Sequence, residues 1–502
     1  MVENFLAGSA ALFGDPLTIG IFVFGVIGGM LFGAIPGVSM LTLAAILLPF
    51  TAGLEPAQGV MLFAVIYCTG TYGGAITAIL FNIPGSAENA PTAFDGYPMT
   101  QKGQSGKAVG AAVLCSAIGG MASALVMMTA TEPLANWAIR NIGPPEIFAL
   151  VFFGLVVAST VGARTMWKGW MSVLIGLLIA TIGQDPVGGI NRYNFGMTDL
   201  AAGIAFVPAI LGFFAVSEIF VQAEKKASGK YKAPKVSMTF PSFLELWTHK
   251  IAVFRSIIVG FFCGILPGIG ATLAAFMSYG EAVRWSKKKE EFGKGKLEDL
   301  ISAETANNAA TGAAMIPLLA LGLPGGALTA MMVAVFQMHD LQPGPLVFML
   351  SPDLIWIVFA AMFYANLSIL LIGVLETKTI LNLLKIPFQF LAPLILMLAT
   401  TGAYISRGLV LDVMIMFLAG ILGYLLRRTG FSIPAIVLGL ILGKIGEQNF
   451  AQGMQMVHYD VVTYFSRPIC AILIAAGVLT LCTSIYRAFT SAKPDTSAKT
   501  EA

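Results

Sequence analysis

Charge is what this sequence has least of: 11% of its 502 residues are Asp, Glu, Lys or Arg, against about 25% in a soluble domain. With 57% hydrophobic residues and a mean hydropathy of +0.84, the shortage excludes a soluble globular chain and reads as an integral membrane protein in a lipid bilayer. A formal net charge of +3 is too small to hold nucleic acid, and the lysines gather in loops instead of on an aromatic-laced face, so no nucleic-acid partner is expected. Cysteine is scarce too. Cys68, Cys115, Cys263, Cys470 and Cys482 sit singly in apolar segments without C-x-x-C spacing, which argues against disulfides and zinc and leaves packing as their role. His249, His339 and His458 are far apart and fit no metal or triad spacing. No H-E-x-x-H, G-x-S-x-G or G-x-x-x-x-G-K-[ST] pattern occurs, so neither an embedded enzyme nor ATP-driven transport by this chain is expected. The start, Met1-Val2-Glu3-Asn4-Phe5, lacks the basic n-region of a cleaved signal and is expected to be retained.

What the sequence has is a motif it carries twice. Gly33-Ala34-Ile35-Pro36-Gly37 returns as Gly264-Ile265-Leu266-Pro267-Gly268, 264 − 33 = 231 residues later. A second Pro-Gly pair follows each copy, in Asn82-Ile83-Pro84-Gly85 and Gly322-Leu323-Pro324-Gly325, 322 − 82 = 240 residues apart. Two apolar halves, each broken twice, are the signature of a secondary transporter with interrupted helices around a central site.

Basic loops orient these segments. Nothing charged lies between Asp15 and Glu55, nor between Arg255 and Glu281. The second stretch is flanked by Lys225, Lys226, Lys230, Lys232, Lys235 and Lys250 on one side and by Arg284, Lys287, Lys288, Lys289, Lys294 and Lys296 on the other, which places both ends in the cytoplasm. A single straight span cannot start and end on one side, whereas a re-entrant hairpin turning at Pro267-Gly268 can; a kinked single helix between noisy loop charges is the alternative. The same rule makes the first hairpin open outward and the second inward. Spans are expected near 108–131, 146–163, 169–184 and 199–221, then hairpin 252–283, an interrupted segment 303–338, and spans near 346–375, 389–406, 408–426, 431–446 and 468–488. The expectation is an all-α polytopic membrane protein of about 11 spans and 2 hairpins in two inverted repeats: 1–221, a cytoplasmic linker 222–250, a second repeat 251–490 and a polar tail 491–502.

Neither hairpin offers a cationic side chain, so an anion there must be held by backbone. Half-helix N-termini after Pro36-Gly37 and Pro267-Gly268 present N–H groups and the positive end of the helix dipole. Ser39, Thr42, Gly270 and Thr272 follow these turns, and Asn82, Pro84, Gly85, Ser86, Pro324 and Gly325 make the second breaks; together they are the candidate substrate-binding residues. Thr71, Tyr72, Gly73, Gly74 and Thr77 precede the first break, and carbonyls and hydroxyls there suit a sodium ion, a hard cation that takes oxygen ligands; paired glycines equally mark close helix packing. Glu304 and Asn308 share a helix face beside Asn307 and Thr311, an arrangement that binds a cation or satisfies buried amides, with helix capping as the alternative. Glu88, Asn89 and Asp95-Gly96 read as turn chemistry, and Lys444 with Glu447 as a local i, i+3 ion pair.

The combination of Gly33-x-x-Pro36-Gly37, Leu47-Leu48-Pro49-Phe50-Thr51, Tyr72-Gly73-Gly74, Asn82-Ile83-Pro84-Gly85, Thr92 through Met99, Glu304-x-x-Asn307-Asn308 and Gly322-Leu323-Pro324-Gly325 resembles the large membrane subunit of tripartite tricarboxylate transporters, in order and over nearly the full chain. The resemblance implies a multi-pass permease of the bacterial inner membrane that works with a small membrane subunit and a periplasmic solute-binding protein. It implies uptake of a citrate-like di- or tricarboxylate on an ion gradient, usually sodium, with no tightly bound cofactor, and it implies that the residues named above line or shape the transport site. By fold analogy alone, the alternation of hairpin and interrupted helix resembles elevator-type carboxylate carriers. Val38-Ser39 and Gly270-Ala271 differ after the two turns, which leaves the half-sites chemically unequal and the substrate undecided. A stand-alone carboxylate carrier or ion channel would share the composition and repeats.

Overall fold

Helices begin where the sequence places a cap and a proline. Asp15 caps the second helix through the Thr18 amide (2.8 Å) and hydroxyl (2.7 Å), and Pro16 follows at the first helical position. At the start of the fourth, Gln58 reaches back to the Glu55 amide (3.1 Å) and donates to the Thr18 hydroxyl (3.0 Å), which fixes the two helix starts side by side. The computed structural model describes residues 1–35, 38–159, 165–185, 187–224, 241, 243–266, 270–383 and 388–490. The turns 36–37 and 267–269, most of the linker and the tail 491–502 lie outside them.

The first half runs α1 (Val2–Gly14), α2 (Pro16–Ala34), α3 (Met40–Leu47, continued by a 3-10 turn, Leu48–Gly53), α4 (Pro56–Phe81), α5 (Ala90–Gln101), α6 (Ser105–Asn141), α7 (Pro144–Ala158), α8 (Met166–Ala180) and α9 (Phe206–Glu224). The second runs α10 (Phe243–Thr248), α11 (Lys250–Ile265), α12 (Gly270–Trp285), α13 (Leu297–Ala313), α14 (Met315–Leu321), α15 (Ala327–Met338), α16 (Leu346–Leu350), α17 (Pro352–Leu383), α18 (Phe388–Arg407), α19 (Val410–Arg428), α20 (Ile433–Met456), α21 (Val461–Ser466) and α22 (Pro468–Thr490). Between α8 and α9 a two-stranded antiparallel ribbon pairs Gly183 with Arg192. Among the described residues six helices are long and apolar enough to cross a membrane: α2, α4, α6, α9, the Pro352–Gly373 part of α17, and α19. Leu178, Phe254, Phe262, Leu418 and Leu479 are each more than half exposed, an outer surface suited to lipid. The chain is an all-α polytopic membrane protein.

Small residues repeat at every fourth position where the hairpin arms meet the broken helices. A Cβ on Gly29 would lie 3.1 Å from the Ile66 Cα, and one on Gly33 would strike the Gly70 carbonyl oxygen. In the second half a Cβ on Gly260 would lie 2.9 Å from the Ala306 Cα, and one on Gly264 would press on Ala310. Gly260 and Gly264 stand 231 residues after Gly29 and Gly33, and Ala306 and Ala310 stand 240 after Ile66 and Gly70, so both copies use one contact, a small-xxx-small seam between membrane helices. The long helices then change sides. α6 lies along α13, and α17 lies along α4, so each half completes the core of the other.

Three local expectations change. Asp95-Gly96 is no turn: both residues lie within α5 and are buried, because Pro91 at its first turn starts a helix there. Glu447 pairs with Arg192 in the ribbon through both carboxylate oxygens, one at 3.0 Å, and not with Lys444; a bidentate guanidinium outcompetes a flexible ammonium one turn away. The second interrupted segment begins at Leu297, six residues before the expected start at 303.

Candidate functional site

Both breaks are built the same way. The αL residue that ends α4 is Asn82, φ 57°, and the one that ends α14 is Gly322, φ 74°, positions that favour Asn and Gly. Past each, one N–H reaches back six residues: Ile83 to the Thr77 carbonyl at 3.3 Å, Leu323 to the Pro317 carbonyl at 3.1 Å. The chain then folds back on its own helix. The Gly85 N–H donates to the Gly74 carbonyl (3.3 Å), and a Cβ on Gly85 would lie 2.6 Å from the Gly74 Cα, while one on Gly325 would meet Ala314 at 3.0 Å.

Side chains lock the first break. Ser86 donates to the Asn89 amide oxygen (2.6 Å), and the Asn89 amide donates to the Thr71 carbonyl (2.9 Å). In the second break the Gly326 N–H donates to the Thr329 hydroxyl (2.8 Å), so residue 326, like Ser86 in the first copy, bonds the side chain three residues on.

The hairpins meet the breaks crosswise. α12, the second arm of the second hairpin, packs on the Ala87–Asn89 turn of the first break, whereas α3 packs on α15 after the second break. Thr272 faces Glu88, whose Oε1 has no hydrogen-bond partner among the described residues. Gly270, φ +58°, starts α12; a Cβ there would stand 3.8 Å from the Gly325 carbonyl oxygen and 4.0 Å from the Tyr67 hydroxyl. One small junction thus gathers the start of α12, Ser86 and Glu88 from the first break, Gly325 and Gly326 from the second, and Tyr67 of α4. Residues 56–87, 256–280 and 305–338 contain no charged side chain.

Beside the junction α13 carries a buried polar face. Glu304, fully buried, accepts from Thr92, from Ser116 (2.9 Å) and from the Asn307 amide (3.3 Å). The Asn308 amide donates to the Cys68 carbonyl (3.2 Å) and the Thr311 hydroxyl to the Asn308 carbonyl (2.8 Å). The Asn307 and Asn308 Oδ1 atoms are buried without a hydrogen-bond donor among the described residues, a state that costs about 1–3 kcal/mol each unless something fills it.

The structure places the sequence candidates unevenly. Pro36, Gly37, Pro267 and Gly268 lie outside the described residues. Ser39 caps α3 without a side-chain hydrogen bond, and Thr42 is buried one turn on. Asn82 is exposed, Pro84 and Ser86 are half-buried, and Gly85, Pro324 and Gly325 are buried. The Thr71 hydroxyl donates to the Tyr67 carbonyl (2.8 Å), Thr77 to the Gly74 carbonyl (3.4 Å), and Tyr72 to the Gly373 carbonyl of α17 (3.0 Å). Gly73 packs against the Met30 backbone and Gly74 against the Asn89 side chain. Tyr67 and Ser116 also belong to this region and carry no signal in the sequence, since single residues on separate helices form no motif.

No solved structure matches the chain. An uncharacterized 52.8 kDa protein in the TAR-I ttuC' 3' region of Agrobacterium vitis is 36% identical over 454 residues, 90% of each chain. An uncharacterized protein in the TAR-II ttuC' 3' region of the same organism is 34% identical over 220 residues, 44% of this chain and 91% of the relative. The model of the tripartite tricarboxylate transporter TctA family matches residues 19–438. With two hairpins and two breaks meeting at a junction that holds no Lys or Arg, and a family match across most of its length, this chain is a member of the tripartite tricarboxylate transporter TctA family, a transporter family.

Proposed function

We propose that this chain is the permease subunit that takes up a citrate-like di- or tricarboxylate across the bacterial inner membrane, driven by an ion gradient and supplied by a periplasmic solute-binding protein, with a small membrane subunit as its other partner. The observation that carries the proposal is the junction of the α12 start with both breaks, in segments that hold no Lys or Arg. A charge at the bilayer centre costs about 2.5–3.5 kcal/mol on insertion scales, so a site made of helix starts, hydroxyls and glycine backbone can hold a carboxylate without carrying a fixed cation through each cycle. Sodium is the coupling ion in this reading, supported by Glu304 and the unpartnered oxygens of Asn307 and Asn308. Residues 1–221 and 251–490 act as inverted repeats whose hairpins re-enter from opposite faces, and substrate crosses by an elevator-like displacement. The test is uptake of labelled citrate by proteoliposomes holding the chain with the small subunit, supplied with loaded binding protein, under inward sodium or potassium gradients. Faster uptake with sodium that requires the binding protein supports the reading. Uptake without binding protein would make the chain a stand-alone carrier, and dependence on a proton gradient alone would remove sodium.

A further inference from the structure

Outside the junction two buried acids face each other across 204 residues of sequence, 299 − 95. Asp95, in α5, is fully buried and accepts three backbone N–H groups from the loop after the second hairpin: Gly293 at 2.8 Å, Gly295 at 2.6 Å and Lys296 at 2.6 Å. Gly293 and Gly295 have φ of +78° and +94°, which lets alternate N–H groups turn inward as an anion nest. Both Asp95 oxygens therefore act as acceptors of backbone N–H groups. Asp299, in the first turn of α13, is also fully buried, and no N–H or O–H of the described residues reaches either of its oxygens. The Asp95 carboxyl lies beside it, because Lys296, whose N–H Asp95 accepts, is only three residues before Asp299 and α5 packs on α13.

The other charged groups around the pair do not neutralise it. Lys296 Nζ is engaged by Glu298 (3.2 Å) and Ser286 (2.5 Å), and Lys102 donates to the Lys294 carbonyl. Glu304 lies further along α13, His249 faces Glu298, and Tyr279 of α12 faces both acids. Two adjacent buried carboxylates without a cation cannot both be ionised.

We propose that Asp95 and Asp299 form a proton-binding site, with the proton on Asp299 donated to the Asp95 carboxylate, that fastens the loop after the second hairpin to α5. When the proton leaves to water the pair carries two negative charges, the acids repel, and the loop 286–296 is released from Asp95. The site is thus a proton-sensitive catch on the chain that leads from α12 into α13, separate from the residues assigned to carboxylate and sodium.

Infrared difference spectroscopy of the purified full chain tests it without transport. The wild type at neutral pH in sodium-free buffer is expected to show the C=O stretch of a buried protonated carboxylic acid, shifted by D₂O, and Asp299→Asn is expected to lose that band while eluting as a monodisperse protein. In the wild type alone, raising the pH should bleach the band and speed trypsin cleavage at Lys287, Lys288 or Lys289, and Asp299→Asn should make cleavage independent of pH over the same range. A band unchanged by Asp299→Asn, or a wild-type loop whose cleavage rate ignores loss of the band, overturns the proposal. So does a band that appears only after sodium removal, since the pair then holds a cation in place of the proton.

Discussion

The two breaks share a backbone and differ in what surrounds them. Asn82 and Gly322 take the same left-handed conformation, the same six-residue hydrogen bond follows, and Gly85 and Gly325 fold back on equivalent positions. The helices leading into them have parted. α4 carries Ala64, Tyr67, Cys68 and Thr71 where α13, 240 residues on, carries Glu304, Asn307, Asn308 and Thr311. Duplication supplied a frame twice, and the buried acid and amides were placed on one copy. Backbone turns of this kind depend on few residues and survive side-chain change, whereas a buried polar cluster needs a matching partner for every atom. α13 finds those partners in the other half of the chain, at Thr92, Ser116 and the Cys68 carbonyl.

Substitutions at paired positions probe that comparison. The largest difference is expected at 304 against 64. Glu304→Ala orphans the hydroxyls of Thr92 and Ser116 and leaves the Asn307 amide only the Glu88 carbonyl at 3.4 Å, at about 1–3 kcal/mol for each donor left unpaired, and should abolish the folded peak in detergent gel filtration or drop Tm steeply. Ala64→Gly should lower Tm only by the equivalent of about 1 kcal/mol. If both were mild, the polar face of α13 would be dispensable.

Equal damage is expected next at the helix seams. Gly33→Val and Gly264→Val push side-chain carbon into the backbone at Gly70 and Ala310, and each should cost about 1–3 kcal/mol through overpacking, read as matched falls in Tm. A silent Gly264→Val beside a damaging Gly33→Val would mean the second seam is loose and the repeats are mechanically unequal.

The left-handed positions separate the copies in the opposite sense. Gly322→Ala should lose about 1–2 kcal/mol, because a Cβ is unfavourable at positive φ, while Asn82→Gly should be neutral or slightly stabilising. Thermal unfolding of the two variants side by side decides it. The smallest effect is expected from Ser86→Ala, which removes one neutral hydrogen bond to Asn89 worth about 1 kcal/mol. Thr329→Ala, its counterpart after the second break, removes the acceptor of the Gly326 N–H and should cost more, since a buried donor is left unpaired.

The order of the chain alone determined that it lies in a membrane, that it is duplicated, and where each half is interrupted. Those features depend on local physics: charge-free length, Pro-Gly turns, and glycine at the end of a helix. The expected spans near 108–131, 146–163 and 408–426 correspond to α6, α7 and α19 with shifted ends; α6 continues past the apolar stretch that marks it, through Glu132 and Pro133 to Asn141. Tertiary structure alone decided which half each polar group serves. Asp95 reads as a turn residue next to Gly96 and Pro98, yet it is buried under backbone N–H groups 198 to 201 residues away; Glu447 lies one turn from Lys444 and pairs with Arg192, 255 residues back. Sequence spacing ranks neighbours along one helix, and in a core where α6 and α17 cross into the opposite halves the partners that satisfy a buried charge come from helices that no local pattern connects.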